Sequence, residues 1–378
     1  MLDPSLKTQK KYPVFQLHFS SLKDPRRINK GNYYYPLEEV LFLTISAIIS
    51  GADSWASISQ FGKTKLNWLR NYFPYEVGTP SHDVLGKLFA RLDHTEFTEC
   101  FANWVNSISK ITKGEVVAID GKTICKSDDK SIEKSALHVV SAYASENKLC
   151  LGQQVVNEKS NEITAIPELL KILDIRGCIV TIDAMGCQKK IAEDIIKKKA
   201  DYLLMVKDNQ KELKQQVEKM FFRGNPTKTN KQFDTGHGRA ETRTCNVIDN
   251  LLFMDEKDQW IGLKSVVKVH SECYNKQTGK TSHQNRYYIS SLSADAEKIN
   301  NAVRNHWSIE NNLHWTLDVI FKEDASLKKK GHSAINYNIM IKLALALIDK
   351  EKSKKISKPA KRLTAALDDN YRDLILKS

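Results

Sequence analysis

The 378-residue chain carries 58 Lys and Arg against 45 Asp and Glu, a formal charge of +13. Its 41% hydrophobic content supplies cores for two or three domains and excludes wholesale disorder, while seven scattered cysteines without a C-x-x-C pair exclude a disulfide scaffold or zinc knot and fit reduced thiols. The longest near-apolar run, Val40 to Ile49, falls well short of the roughly 20 residues that cross a bilayer, and no signal peptide is visible, so a cytoplasmic protein is expected.

The charge is concentrated at the ends, with +5 in residues 1–31 and +5 in 350–378. Such ends suit a polyanion, DNA or RNA, through neutralised phosphates; the alternative is a pair of solubilising tails. The first segment reads as irregular, with Asp24-Pro25-Arg26-Arg27 as a turn and basic step. A helix is predicted from Pro36, with Leu37, Val40, Leu41, Ile45 and Ile48 apolar and Gly51 ending it. Further helices are predicted at 54–61, 65–72, 81–92 and 95–109, making residues 1–112 an all-helical N-terminal domain that, with the basic ends, is expected to bind DNA.

From Glu115 the period changes. Strands are predicted at 115–120, 136–144 and 149–157, then a helix at 163–173, a strand at 178–183, a helix at 187–199, a strand at 202–206 and a helix at 210–222. This order indicates a mixed α/β sheet. Residues 223–295 read as a β-rich insertion with strands at 241–248, 262–269 and 285–290. Helices return around Asn301 and at 334–348, and 351–378 reads as a basic tail.

Asp120 and Asp183 each end an apolar strand and each is followed by a glycine, Gly121 and Gly186, where the chain is expected to change direction. On parallel neighbouring strands both carboxylates would emerge at the carboxyl edge of the sheet; each alone could be a turn or cap residue. Paired carboxylates without a phosphate-binding loop or a nucleophile triad suggest Mg²⁺ or Mn²⁺, two ions being able to activate water and stabilise a leaving oxygen. A third carboxylate is sought in 305–315, where His306, Glu310, His314 and Asp318 border an Ile309/Leu313/Leu317 stripe at helical spacing, placing Glu310 half-buried. The alternatives are boundary histidines on a plain amphipathic helix and a His/Glu/His transition-metal face.

The motifs Ala118-Ile-Asp-Gly-Lys-Thr123, Glu158-Lys-Ser-Asn-Glu-Ile-Thr-Ala-Ile-Pro-Glu-Leu-Leu170, Thr181-Ile-Asp-Ala-Met-Gly-Cys-Gln188 and His306-Trp-Ser-Ile-Glu-Asn-Asn-Leu-His-Trp-Thr-Leu-Asp318 occur in that order. With Asp24-Pro-Arg26, Ser50-Gly-Ala-Asp-Ser-Trp55 and Pro80-Ser-His-Asp83, they make the chain resemble the H-repeat-associated DDE transposases of bacterial insertion sequences over roughly residues 20–350. The resemblance implies an RNase H-like catalytic domain at 113–350, in which Asp120, Asp183 and Glu310 hold two divalent ions. It further implies cleavage and joining of transposon ends, with double-stranded terminal repeats and target DNA as partners and a homodimer at synapsis. The other readings are a DNA-binding remnant or regulator without catalysis, and a nuclease that cleaves without joining.

Arg239 and Arg243, beside His237-Gly238, are expected at DNA phosphates. Related transposases carry Tyr-x2-Arg-x3-Glu-x6-Lys around the glutamate, where this chain has Val303, His306 and Leu317. His306 is the expected replacement donor, with Lys322 or Lys328 to Lys330 in place of the lysine. Lys122 is a candidate for the scissile phosphate or an exposed turn, Asp324 for support of the ions or a helix end, and Trp260 for a base wedge or the core.

Overall fold

The structure, a computed structural model, describes residues 18–26, 34–128, 135–156, 161–236 and 238–378. Most of the N-terminal basic segment, residues 158–160 and His237 therefore lie outside the described residues. Four helices come first: α1 (Leu37–Ile49), α2 (Trp55–Thr64), α3 (His82–Arg91) and α4 (His94–Ile108), with a single turn at Leu66–Leu69. Their starts follow from side-chain oxygens that accept otherwise unpaired amides. Ser54 accepts from Ser57 N in a capping box, Ser81 accepts from Val84 N, and Asp93 accepts from Thr95 N and Glu96 N. Helix α1 is apolar nearly all round and is buried accordingly.

Three antiparallel strands follow, β1 (Val116–Thr123), β2 (His138–Ala144) and β3 (Leu149–Val156), then α5 (Glu162–Ile172), β4 (Ile179–Ile182), α6 (Lys189–Lys197), β5 (Asp201–Val206) and α7 (Lys211–Arg223). β1, β4 and β5 are mutually parallel neighbours, as short buried apolar runs joined by helices require. The remaining strands are β6 (Lys228–Gly236), β7 (Arg239–Ile248), β8 (Ser265–Asn275) and β9 (Thr281–Ser290). All nine lie in one sheet of order β3-β2-β1-β4-β5-β9-β8-β7-β6. The first five, in the order β3-β2-β1-β4-β5 with β2 alone running antiparallel to the others, form the RNase H-like mixed sheet that the family resemblance implies. The β-rich segment is an extension of that sheet, joined edge to edge where Leu203–Val206 pairs antiparallel with Tyr287–Ser290.

Helix α8 (Ala296–His306) crosses one face of both parts, its Ile299, Ala302 and Val303 buried with Val116, Ile179, Leu203, Val247 and Val267. The other face packs on α5 and α6 and runs into the helical core through α10 (Ser333–Lys350), which is buried among α1, α3 and α4. The N-terminal helices and the sheet domain thus share one hydrophobic core.

Residues 351–378 are not a solvated tail. They form α11 (Lys358–Leu367) and α12 (Asp369–Lys377), packed on α1 and α10. Much of their positive charge is spent on helix ends. The Arg362 guanidinium donates to Ile48 O at 3.0 Å and Lys361 Nζ to Ile348 O at 3.0 Å, satisfying carbonyls that end α1 and α10. Arg372 is wholly buried, with its guanidinium 3.9 Å from the Trp68 ring centroid and a bond to Ala365 O at 2.8 Å. Arg372→Ala should therefore cost about 3 kcal/mol through lost packing and stranded acceptors, read as a lower urea midpoint. An unchanged midpoint would return these helices to the role of a dispensable tail. Among the described residues no helix is long and apolar enough to cross a membrane.

Candidate active site

The register Ile119↔Ile182 between β1 and β4 brings the next residues of the two strands, Asp120 and Asp183, side by side. The two positions differ locally. β4 stops at Ile182 and Asp183 caps a short 3₁₀ turn, its carboxylate accepting from Met185 N at 3.0 Å. β1 instead continues to Thr123, so Gly121 lies inside a strand and marks no change of direction. Its missing side chain serves a close approach: a Cβ there would sit 2.1 Å from Glu162 Oε1 and 2.6 Å from His138 Nε2.

Glu310 comes from the segment after α8. Residues 306–318 are not one regular helix, because Ile309–His314 forms a π turn before the short helix α9 (Trp315–Val319), and Trp315 N–H reaches back five residues to Glu310 O. The turn keeps Ile309, Leu313 and Leu317 in the core and leaves Glu310 exposed instead of half-buried. Asp120 registers the convergence. Burial first, then the charges of Asp183, Glu310 and Glu162, push its carboxyl up to about 7. Among the described residues none of Asp120, Asp183 and Glu310 has a lysine or arginine within 4 Å, and their oxygens are not all within 4.8 Å of one another. An uncompensated all-oxygen donor set of this kind fits hard divalent cations.

The two histidines do not form a metal face with Glu310. His306 Nδ1 pairs with Thr181 Oγ1 at 3.0 Å, and burial, against the pull of Asp183, lowers its pKa to about 4. His314 Nδ1 lies 3.6 Å from Asp120 Oδ2, and burial together with Lys342 and Lys122 lowers it to about 3. Burial thus disfavours a charge on either ring, and His306, expected as a donor to phosphate, has its Nδ1 tied to Thr181 two residues before Asp183.

Lys122 is likewise held. Its ammonium bonds Asp318, lies 2.7 Å from Glu323 Oε2 and 3.8 Å from Asp324 Oδ1, and is half-buried. Asp324 also accepts from Cys125 N at 3.2 Å, so it belongs to this lysine knot. Arg243 is buried at 4% exposure, 3.1 Å from Asp234 and 3.3 Å from Glu241, and lies in the wall of the hollow beside Glu310, its guanidinium already held by those two acids. Lys328 is buried against the Tyr337 ring with its Nζ on Asp53 O, and Lys322 pairs with Asp53 at 2.9 Å. Trp260 is a core residue at 1% exposure. Lys329 and Lys330 stand in the loop before α10, half-buried and exposed respectively, and Arg239 is exposed at the start of β7.

Sequence reasoning missed the groove that ends beside Glu310. One face of β6–β9, with Arg304 and Asn311 opposite, encloses about 780 Å³ and continues into a hollow of about 230 Å³ lined by Arg286, Trp307 and Glu310. The Arg286 guanidinium stacks 5.0 Å from the Trp307 centroid. The period-2 alternation of β9 could have placed Arg286 on that face, but only the fold brings Arg286 beside Trp307 and the π turn that carries Glu310.

Against known proteins, residues 17–105 match the family described as DDE_Tnp_1-associated and residues 111–347 the family described as Transposase DDE domain. The chain is 40% identical over 371 residues to "Putative transposase YncI" of Escherichia coli O157:H7, covering 96% of this chain and 94% of that one. It is 40% identical over 367 residues to "H repeat-associated putative transposase YhhI" of Escherichia coli strain K12, covering 94% and 95%. Among solved structures it is similar to a piggyBac transposase synaptic complex with hairpin DNA, at 13% identity and TM-score 0.49, over 97% of this chain and 82% of that one. With the DDE-domain match spanning most of its length and an RNase H-like sheet beneath it, this chain belongs to the DDE transposase family, among the H repeat-associated members.

Proposed function

We propose that the protein cuts and joins DNA at the ends of a mobile element, with Asp120, Asp183 and Glu310 as its catalytic, metal-holding carboxylates. The observation that carries this reading is the meeting of three carboxylates from β1, the residue after β4 and the π turn, where burial first and then the charges of Asp183 and Glu310 raise Asp120, with no lysine or arginine within 4 Å among the described residues. Two Mg²⁺ or Mn²⁺ ions bound there would supply an activated water and stabilisation of the leaving oxygen. The chemistry is hydrolysis of one phosphodiester, freeing a 3′-hydroxyl, and in-line attack of that hydroxyl on a target phosphodiester.

The chain's own residues do the rest. Asp183 is held by Met185 N–H, and His306, neutral and tied to Thr181, fixes the approach of α8 to β4. Arg239, Arg286 and Arg304 line the groove that ends beside Glu310, and we assign it to the DNA backbone, with Lys329 and Lys330 as outlying contacts. Two element ends require two copies of the chain, hence a homodimer on DNA in the bacterial cytoplasm.

The test is cleavage and joining of labelled element-end DNA by wild type, Asp183→Asn and Glu310→Gln in Mg²⁺ or Mn²⁺. Loss of both products in the variants supports the reading; wild-type cleavage by the variants defeats it, and cleavage without joining leaves a nuclease. Arg286→Ala and Arg304→Ala should each flatten the dependence of log affinity on log salt by about one unit without altering Mn²⁺ binding. Salt slopes equal to wild type would move the DNA off this groove.

A further inference from the structure

We infer that Glu162 is a fourth carboxylate of the metal centre, delivered from the face of the sheet opposite Glu310. The inference rests on the function proposed above and extends it to a residue outside the Asp120, Asp183 and Glu310 set.

Three observations place it there. Asp120 and Asp183 lie just past the last β1–β4 pair, Ile119 and Ile182, and α8, which leads to Glu310, covers the face shared by Val116, Ile179 and Leu203. Helix α5 packs on β2 and β3 from the other side, and Glu162 is its first residue. The carboxylate reaches inward from that position. It is 17% exposed and lies over Gly121, the residue next to Asp120, so closely that any Cβ at 121 would collide with it. Its charge is one of the three that Asp120 feels.

The carboxylate is also oriented. Glu162 Oε1 lies 2.8 Å from His138 Nε2, and His138 Nδ1 lies 2.9 Å from Thr123 Oγ1. A carboxylate can only accept, so Nε2 carries the proton; in the neutral ring Nδ1 then accepts from the Thr123 hydroxyl. This relay runs across the β1–β2 pairing, where Thr123 faces His138. One glutamate oxygen is thereby fixed, and Oε2 is left with no hydrogen bond to the protein among the described residues. A histidine that holds one carboxylate oxygen while the other is offered to an ion is a recurrent support for metal ligands. If Glu162 were only an acid at a helix N-terminus, it would need neither a glycine beneath it nor a two-member relay.

The experiment is Mn²⁺ titration of the full chain without DNA, followed by electron paramagnetic resonance, with thermal melts in EDTA as a folding check. Glu162→Gln keeps the shape and is expected to weaken Mn²⁺ binding about tenfold or more while melting in EDTA no lower than wild type. Glu168→Gln, on the exposed part of the same helix, should bind Mn²⁺ as wild type does. Should Glu162→Gln fail the folding check, Glu162→Asp, which retains the charge but draws it back by one methylene, is expected to show the loss instead. Wild-type Mn²⁺ binding by a folded Glu162 variant, with binding lost in Asp120→Asn, overturns the inference alone; wild-type binding in both overturns the proposed site itself.

Discussion

Asp120→Asn is expected to abolish cleavage and yet to melt at a higher temperature than wild type when divalent metal is chelated. The two effects have one cause. In the metal-free protein the Asp120 carboxyl is half-buried beside Asp183, Glu310 and Glu162, and its pKa stands at about 7 against an ordinary value near 4. A folded-state pKa above the unfolded one means that the folded protein holds the proton more tightly. Stability from this group is therefore full below about pH 4 and is lost as pH rises through about 7, at a cost of up to about 4 kcal/mol above that. Asparagine removes the charge and with it that loss. Between pH 5 and pH 8 in EDTA, wild type should lose several degrees of Tm that the variant keeps. Adding Mn²⁺ should restore wild type and leave the variant nearly unmoved, while end cleavage by the variant falls on the order of 10³-fold or more. Parallel Tm curves against pH for the two proteins, or a wild type indifferent to Mn²⁺, would show that the carboxylates do not act on one another as described.

This tension between stability and site was only partly legible in the sequence. Asp120 and Asp183 announce themselves because each carboxylate ends a near-continuous apolar run, and Glu310 because it borders a regular Ile309/Leu313/Leu317 stripe. The sheet core was readable for the same reason: runs such as Cys178–Ile182 are too short and too apolar to be anything but buried strands. Three things were not. β6, the polar edge run Lys228–Gly236, has no buried face to impose a pattern, so its pairing exists only through β7. The π turn depends on a hydrogen bond five residues back, to which spacing arguments built on 3.6 residues per turn are blind. Charge, finally, says nothing about partners. Arg243, Arg362 and Arg372 count toward +13 as any surface lysine does, yet each is buried on acceptors of its own chain. The positive ends that suggested DNA-holding tails are, at the C-terminus, largely structural, and the groove beside Glu310 takes its guanidinium groups from the middle of the chain.

Lys122 carries the same lesson to its largest expected effect on stability. Burial works against its charge, but Glu323 and Asp318 outweigh that and hold its pKa above the ordinary lysine value. The dependence is mutual. Glu323 has 3% of its side chain exposed, with Lys122 Nζ on one oxygen and Asn338 Nδ2 at 2.5 Å from the other, and Asp318 and Asp324 complete an acidic group whose oxygens lie within 4.8 Å of one another. Lys122→Met would leave a buried carboxylate with two like charges beside it and no cation. Removing one partner of a buried pair costs about 3 kcal/mol or more, so Tm should fall by roughly 5 °C. Because the vacated group is all carboxylate oxygen, Ca²⁺ should recover much of the loss in Lys122→Met and almost none in wild type, where the ammonium already fills the position. A lysine that gripped the scissile phosphate would behave differently, losing DNA affinity at unchanged Tm. Thermal melts with and without Ca²⁺, set beside DNA binding at fixed salt, separate the two: a Lys122→Met protein as stable as wild type and deaf to Ca²⁺, but weak on DNA, would put this lysine back at the phosphate.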